Sequence, residues 1–420
     1  MRIRGDSLPM MEKKLPKGLD LAAAQKIIAA QIRPTEGESV APEDALLRLP
    51  VKSLRALKPQ PGYDQSTRDG FVISGDGSIH TEGSCNFRIE GEIRAGTTDK
   101  RPLSLGTACR IMTGGLIPAR GLRVIPQEDC HERDGILSAP DAVLHRRETF
   151  IRRRGSELVK GKVVVSAGTP ILPDHLVLLA ATGHSRILVH RRPGVAFFCT
   201  GSELVASPLE EEDGLKVSGN RYLLHGLIRL SGGLPRYLGT VADTLGNLAV
   251  ALGRIDRDAT DVIVSTGGMG PGRYDLLEEA FVGAGGEIIY RSLHVRPGKA
   301  TLFGMLGNAL FFGLPGPPPA VGVLFNELVA PALFLLQGMK KSGSQRIKAS
   351  LQEAVLLKEK GVPNLKGGVL TDRNSVRLAG KTEVAGCYIL FPGHRRSFKK
   401  GEMVEVHLVN PPFGNCQWSD

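Results

Sequence analysis

Between residues 20 and 32, Ala22, Ala23, Ile27, Ile28 and Ile32 recur close to the helical period, which predicts an amphipathic helix. A second helix is expected over residues 41–49, ahead of a polar, proline-bearing passage at 58–61. From 68 to 143 the rhythm changes. Apolar runs at 70–74, 87–89, 108–112 and 123–126 are short and separated by Gly, Pro and Asp, the pattern of a small β-rich domain. Residues 149–189 return to mixed character, with a strand at 163–165 and a helix through 175–179. The basic break Arg191-Arg192-Pro193 closes them.

Residues 194–338 alternate more regularly. Strands are expected at 195–199, 237–241, 262–265, 288–292, 301–303 and 310–313, and helices at 245–255, 276–282 and 321–336. Asn220 is expected to cap a helix carrying Leu223, Leu224, Leu227 and Ile228 that ends at Gly232-Gly233. Strand, Gly turn and helix in repetition predict a three-layer α/β domain with a mostly parallel, doubly wound sheet. Residues 346–408 read as strands again and suggest a small C-terminal β-barrel-like domain. The expected fold is therefore multidomain, α/β plus β. Residues 19–60 with 145–190 form an elongated mixed α/β linker domain, 61–144 a β-rich N-terminal domain, 191–338 the central α/β domain and 339–412 the barrel.

Composition narrows the function. The 420 residues are 41% hydrophobic and 23% charged, ordinary for a globular protein of several domains. The formal net charge of +11 is read either as attraction for an anionic ligand or as a well-solvated basic surface. With one Trp, and no aromatics interleaved in the runs Arg152-Arg153-Arg154 and His394-Arg395-Arg396, a base-stacking nucleic-acid platform is not expected. Cys85, Cys109, Cys130, Cys199, Cys387 and Cys416 form no C-x-x-C and have no zinc-ligand spacing with His. The first fifteen residues lack an apolar secretory core, and prolines and Glu327 interrupt the apolar stretch 309–336. A cytoplasmic protein without a membrane span is expected.

The strongest local signal runs from Ser265-Thr266-Gly267-Gly268 through Gly272 to Asp275, after an apolar strand and before a helix. Such a turn exposes backbone N–H groups suited to a phosphate, although a Gly-rich βα turn can also be no more than a tight turn. Asp243 and Asp275 both follow strands at one expected sheet edge. They could hold Mg2+ beside phosphates, or each could cap a helix. Two further turns, Gly313-Leu314-Pro315-Gly316 leading into Pro317-Pro318-Pro319, and His294-Val295-Arg296-Pro297-Gly298-Lys299, should lie at the same carboxyl edge, the usual ligand edge of an open α/β sheet. In the N-terminal half, 63–70 is a dense polar turn and Arg110-Ile111-Met112-Thr113-Gly114-Gly115 a strand ending in a Gly turn.

In this order the strings resemble the MoeA/gephyrin-E family over nearly the whole chain: Asp64-Gln65-Ser66-Thr67-Arg68-Asp69-Gly70-Phe71, Arg110 to Gly114, Val124 to Asp129, Ile151-Arg152-Arg153-Arg154-Gly155-Ser156-Glu157, Cys199-Thr200-Gly201-Ser202-Glu203-Leu204, Ser265 to Asp275, Arg296-Pro297-Gly298-Lys299 and Gly313 to Gly316. The resemblance implies four structural domains and a homodimer with sites between subunits. It also implies that 191–338 binds adenylated molybdopterin, which is cleaved with release of AMP as molybdate or tungstate supplies the metal to the dithiolene, with Mg2+ assisting. It further implies exchange with a MogA-like adenylyltransferase and with molybdoenzyme acceptors. Carried over by position, Asp64, Glu157, Glu203, Asp243, Asp275, Arg296 and Lys299 are the expected catalytic set, with Asp243 and Asp275 as the metal carboxylates. Thr113, Ser265, Thr266, Gly267, Gly268, Gly272, Pro315 and Gly316 are expected to contact the cofactor.

The departures fall on the oxyanion elements. The family's K-P-G-K-P reads Arg296-Pro297-Gly298-Lys299-Ala300, and its G-L-P-G-N-P-V-S-A loses an Asn and a Ser at Pro317-Pro318-Pro319-Ala320. A family Arg falls at Gly367, and a Gly/Ser-rich turn is shortened near Gly380-Lys381-Thr382. Arg presents a planar fork where Lys presents a point charge, so Arg296, Lys366 or Lys381 would have to rebuild the site. Against an active transferase stands a non-catalytic paralogue that binds or delivers the pterin. A nucleic-acid binder rests on charge alone.

Overall fold

The computed structural model describes residues 17–409 apart from 76–78, 82, 97–100, 206, 208, 210–211, 269–275, 341–342 and 373. Ser39–Leu188 forms one compact unit, and the segments on either side of it in sequence form the other.

The larger unit is built on a seven-stranded sheet. Its strands are β1 (Lys17–Leu19), β2 (Gly194–Thr200), β3 (Leu234–Val241), β4 (Val262–Thr266), β5 (Gly286–Leu293), β6 (Leu302–Leu306) and β7 (Ala309–Leu314), in the spatial order β1-β5-β6-β7-β4-β2-β3. Only β6 runs antiparallel to its neighbours. A central parallel strand is covered on both faces, which is why Val262, Ile263 and Val264 are all buried. Val262 and Val264 pack on one face with Phe197, Phe312 and Leu224, while Ile263 packs on the other with Phe198, Phe281 and Phe311. The first face is covered by α1 (Leu21–Ala30), α2 (Gly219–Leu230) and the helix Pro318–Leu336. The second is covered by α3 (Leu245–Gly253) and α4 (Leu276–Gly283). The helix of residues 20–32 thus packs far from its chain neighbours, with Asp20 accepting from Ala23 N–H as its cap.

Pro318–Leu336 is apolar and long enough to cross a membrane, but 83% of its apolar window is buried inside the protein, as in a core helix. It contains a π-helical turn at Phe325–Val329. That turn carries Glu327, whose side chain is 1% exposed. Glu327 Oε1 accepts from His407 Nδ1 (3.0 Å), Ser344 Oγ (3.0 Å) and Asn326 Nδ2 (3.1 Å), while Oε2 is buried with no hydrogen-bond partner. His407 belongs to a closed five-stranded barrel of β8 (Arg346–Leu351), β9 (Asn364–Asp372), β10 (Ser375–Leu378), β11 (Cys387–Phe391) and β12 (Met403–Leu408). Closure leaves no free sheet edge. The Glu327–His407 pair therefore ties the barrel to the α/β core.

In the smaller unit, a sheet runs in the order His131–Arg133, Ile136–Pro140, Ser84–Ile93, Thr107–Ile111, Gly70–Ile73, Arg123–Pro126, with Ile79–Thr81 paired to Ser84–Ile93. Phe71, Phe87, Ile125 and Leu137 form its core. Ladders of Ile151–Arg152 with Gln65–Ser66, and of Val163–Val165 with Leu54–Arg55, flank it, as does the helix Pro173–Ala181. The helix expected over 41–49 is only a 3-10 turn, Pro42–Ala45. Leu47 N–H donates to Ile171 and Arg48 C=O accepts from Ile171 N–H. These tertiary pairings, together with a positive φ of 61° at Leu47, override the local helical pattern.

Candidate active site

Three turns expected at one edge of the sheet do lie at the carboxyl ends of parallel strands β4, β5 and β7. Two of them meet. Gly267 N–H donates to Leu314 C=O (3.1 Å), and a Cβ on Gly316 would lie 3.8 Å from Gly267 Cα. The double glycine is required by its backbone and by its neighbours. Gly267 has φ +88° and Gly268 φ +66°, and an added Cβ would sit 2.3 Å from Thr200 O at Gly267 or 2.9 Å from Thr200 Oγ1 at Gly268. Thr200 ends β2 directly beneath them. Asp243 arrives from the end of β3, its Oδ1 3.6 Å from where a Gly268 Cβ would be. Glu203 folds its carboxylate over Gly201, with Oε2 2.9 Å from a Cβ placed there.

Polar atoms under this edge are left unpaired. Thr200 Oγ1, Ser265 Oγ and Asn220 Oδ1 are buried and make no hydrogen bond. Buried polar groups are almost always satisfied, so such a group usually marks a water, an ion or a functional role. Ser265 lies within β4, fully buried. Asn220 does not cap α2 as expected. Ser218 occupies that position, and the Asn220 side chain instead crosses to Gly316 O (2.7 Å) and Thr266 Oγ1 (3.3 Å). Nor does Asp243 cap α3, since Thr244 accepts from Asn247 N–H there, so the Asp243 carboxylate is left for other work. Cys199 is fully buried, and burial raises its pKa against the opposing hydroxyls of Ser218 and Thr266, the setting of a structural rather than a reactive thiol. Pro315 lies in the turn after β7, and Pro317 immediately precedes the helix that begins at Pro318.

The third turn sits two strands further along the edge. Arg296 N–H donates to Pro363 C=O and Arg296 C=O accepts from Leu365 N–H, which joins the turn to barrel strand β9. The Arg296 guanidinium is ion-paired with Glu359, whereas Lys299 is exposed. Gly272 and Asp275 lie outside the described residues.

Within the smaller unit, the turns at 64–70, 112–115 and 151–157 come together. Ser66 N–H bonds Gly115 O, Gly114 N–H bonds Ser66 O, and Ile117 N–H bonds Asp64 O. Asp64 accepts from Arg154 N–H and Arg153 Nη1, both at 2.7 Å. The Arg154 backbone bond, followed by the Arg153 side chain and opposed by slight burial, holds its carboxyl below the ordinary range. Glu157 pairs with Arg152 at 3.0 Å. Thr113 gives both its N–H (2.6 Å) and its hydroxyl (2.8 Å) to Asp69. The sequence assigns no site role to Asp69 or Thr200, and it points to Asn220 only as a helix cap. Only the polarity of Asp69 in its turn, and of Thr200 at a strand end, hinted at them.

A parallel α/β sheet with glycine turns, a carboxylate and unpaired hydroxyls at its carboxyl edge, linked to a barrel, defines a multidomain protein whose α/β domain presents polar groups at the usual ligand edge. Comparison with known proteins specifies it. Residues 19–183 match "MoeA N-terminal region (domain I and II)" and residues 196–334 match "Probable molybdopterin binding domain". A Nostoc molybdopterin molybdenumtransferase is 31% identical, covering 70% of this chain and 68% of that protein. A Bacillus subtilis protein of the same name is 29% identical over 97% of each chain. A Pyrococcus horikosii molybdopterin biosynthesis MoeA structure shares the fold with TM-score 0.81 and 24% identity, over 93% of this chain and 99% of that one. The chain belongs to the MoeA family of molybdenum cofactor biosynthesis.

Proposed function

We propose that this chain inserts molybdenum from molybdate, or tungsten from tungstate, into adenylated molybdopterin with release of AMP. The observation that carries this reading is the meeting of Gly267-Gly268, Gly316 and Asp243 over the buried, unpaired Thr200 hydroxyl. In this reading the phosphates lie against the double glycine, where only a residue without Cβ leaves room, with Gly268 N–H as the backbone donor because Gly267 N–H is held by Leu314 C=O. Arg296 and Lys299 neutralise the oxyanion, and Glu203 lies beside the reacting groups. Mg2+ fits the donors present, because it is commonly held by one or two carboxylates and completed by substrate phosphates and water. The Asp243 carboxylate, unused as a cap, would supply such an oxygen. Bound there, the ion would neutralise phosphate charge. A homodimer, a cytoplasmic location, an adenylyltransferase donor and molybdoenzyme acceptors belong to the same proposal.

The Arg296–Glu359 ion pair favours a second reading, a paralogue that binds the pterin without turnover, because an acid already occupies the oxyanion cation. AMP release from adenylated molybdopterin with Mg2+, titrated with molybdate or tungstate, separates the two. Oxyanion-dependent release that Asp243→Asn abolishes supports the transferase. Tight binding with no release at any oxyanion concentration supports the paralogue.

A further inference from the structure

We propose that Asn220 is the positioning residue that sets the spacing of the two loops bordering the pterin-nucleotide site. This rests on the proposed substrate. Asn220 is 6% exposed and sits in the first turn of α2. Its one Nδ2 donates to Gly316 O at 2.7 Å and lies 3.3 Å from Thr266 Oγ1. Thr266 is the residue before Gly267, and Gly316 is the residue whose Cβ would approach Gly267 Cα. A single side-chain amide therefore joins the β7 loop to the end of β4, beyond the backbone bond from Gly267 N–H to Leu314 C=O.

The unpaired end of the side chain supports a role beyond packing. Asn220 Oδ1 is buried with no partner. A buried acceptor left unpaired is costly, and a side chain serving only stability would satisfy both ends. Here the orientation is dictated by the two acceptors that its amide must reach. Local features that break a packing rule without compensation tend to lie at functional sites. The neighbouring Pro317-Pro318-Pro319 offers no N–H at any of its three positions, so those residues cannot anchor the loop by backbone donation, and the fastening falls to a side chain from outside it.

The test is the dissociation constant for adenylated molybdopterin, with the molybdate KM and the melting temperature, for wild type, Asn220→Ala and Asn220→Asp between pH 5 and 8. Asn220→Asp keeps the shape and volume but at pH 8 places a carboxylate against Gly316 O. Its protonated form regains one donor, and burial facing a carbonyl raises a carboxyl's pKa. The expected result is at least tenfold weaker adenylate binding by both variants at pH 8, with the molybdate KM measured at saturating adenylate unchanged. Asn220→Asp should recover most of this loss as pH falls to 5, while wild type and Asn220→Ala stay flat. Wild-type affinity in both variants, or a loss in Asn220→Asp that does not respond to pH, overturns the proposal. If Asn220→Ala fails to fold, the pH arm of Asn220→Asp still decides. Wild type that binds no adenylate would instead overturn the substrate on which the proposal rests.

Discussion

Gly267→Ala tests the geometry of the cradle directly. The new Cβ would stand 2.3 Å from Thr200 O and 3.2 Å from Thr200 C, well inside the ~3.5–4.0 Å of favourable carbon contacts. Thr200 cannot retreat, because β2 is paired on both sides by β3 and β4 and Gly201 N–H is bonded to Val241 O. The left-handed backbone at φ +88° adds roughly 1–2 kcal/mol for a residue with a Cβ. If the loop lifts to relieve the clash it also loses the Gly267–Leu314 bond, about 0.5–1.5 kcal/mol. The expected total is roughly 1.5–3.5 kcal/mol. It should appear as lower stability in urea if the loop is held in place. If the loop moves, it should appear as about 10- to 300-fold weaker adenylate binding, at 1.4 kcal/mol per tenfold. Urea unfolding and calorimetric titration on the same preparation read both. A variant within about 0.5 kcal/mol of wild type in stability and unchanged in affinity would refute the close approach of Gly267 to β2.

Other consequences follow from particular contacts. His407→Ala leaves Glu327 buried without its cationic partner and should cost about 3–5 kcal/mol in urea unfolding. His407 itself has a raised pKa: burial opposes its charge, but hydrogen bonds to Glu327 and then Glu405 outweigh it. Its contribution should therefore be full below about pH 6.5, its ordinary value, and be lost as pH rises through the higher folded value. A wild-type advantage over His407→Gln that grows with pH would contradict this. Arg153→Ala should raise the Asp64 pKa only part of the way to 3.8 in a carbon-13 NMR titration, because the Arg154 N–H remains the larger cause. Glu359→Gln should free Arg296 and lower the apparent molybdate KM by up to about fivefold, the reach of an exposed ion pair of roughly 0.2–1 kcal/mol, with the gain shrinking in high salt.

The elements of the larger unit were legible because both of their signals are local. Apolar runs such as 262–264 announce a strand buried on two faces, and glycines at 267–268 announce a turn whose conformation other residues resist. The closed barrel was expected from short strands alone. What stayed hidden depends on sequence-distant partners. The Asp64–Arg153 clamp joins residues 89 apart and the Glu327–His407 pair residues 80 apart. In the helix reading Asn220 looked like a cap because Asn at a helix start commonly is one, and only the position of Gly316 reveals that its side chain leaves the helix. The 41–49 segment misled for a similar reason: the backbone of Leu47 and Arg48 pairs with Ile171, 124 and 123 residues away, instead of continuing a helix.

The two halves of the proposed site are prepared differently, and this bears on how the altered family motif can work. At the β2–β4–β7 edge Thr200, Ser265 and Asn220 each keep one buried polar atom unpaired, so a ligand reaching them would gain hydrogen bonds without first displacing a protein partner. At the β5 turn the cation Arg296 is already paired, with its side chain 47% and that of Glu359 62% exposed. An oxyanion arriving there must compete with a tethered carboxylate. Because that pair is exposed, the competition is weak and screened by salt. A dianion approaching a bidentate guanidinium can win it, and more easily once a bound nucleotide has fixed the neighbouring loops. The replacement of Lys by Arg at this position then alters the geometry of capture more than its sign, since the planar fork donates to two oxygens of a tetrahedral anion side by side. On this reasoning, oxyanion binding should depend on prior occupation of the glycine cradle. Molybdate binding to the free protein as tight as to the adenylate-bound protein would refute that order.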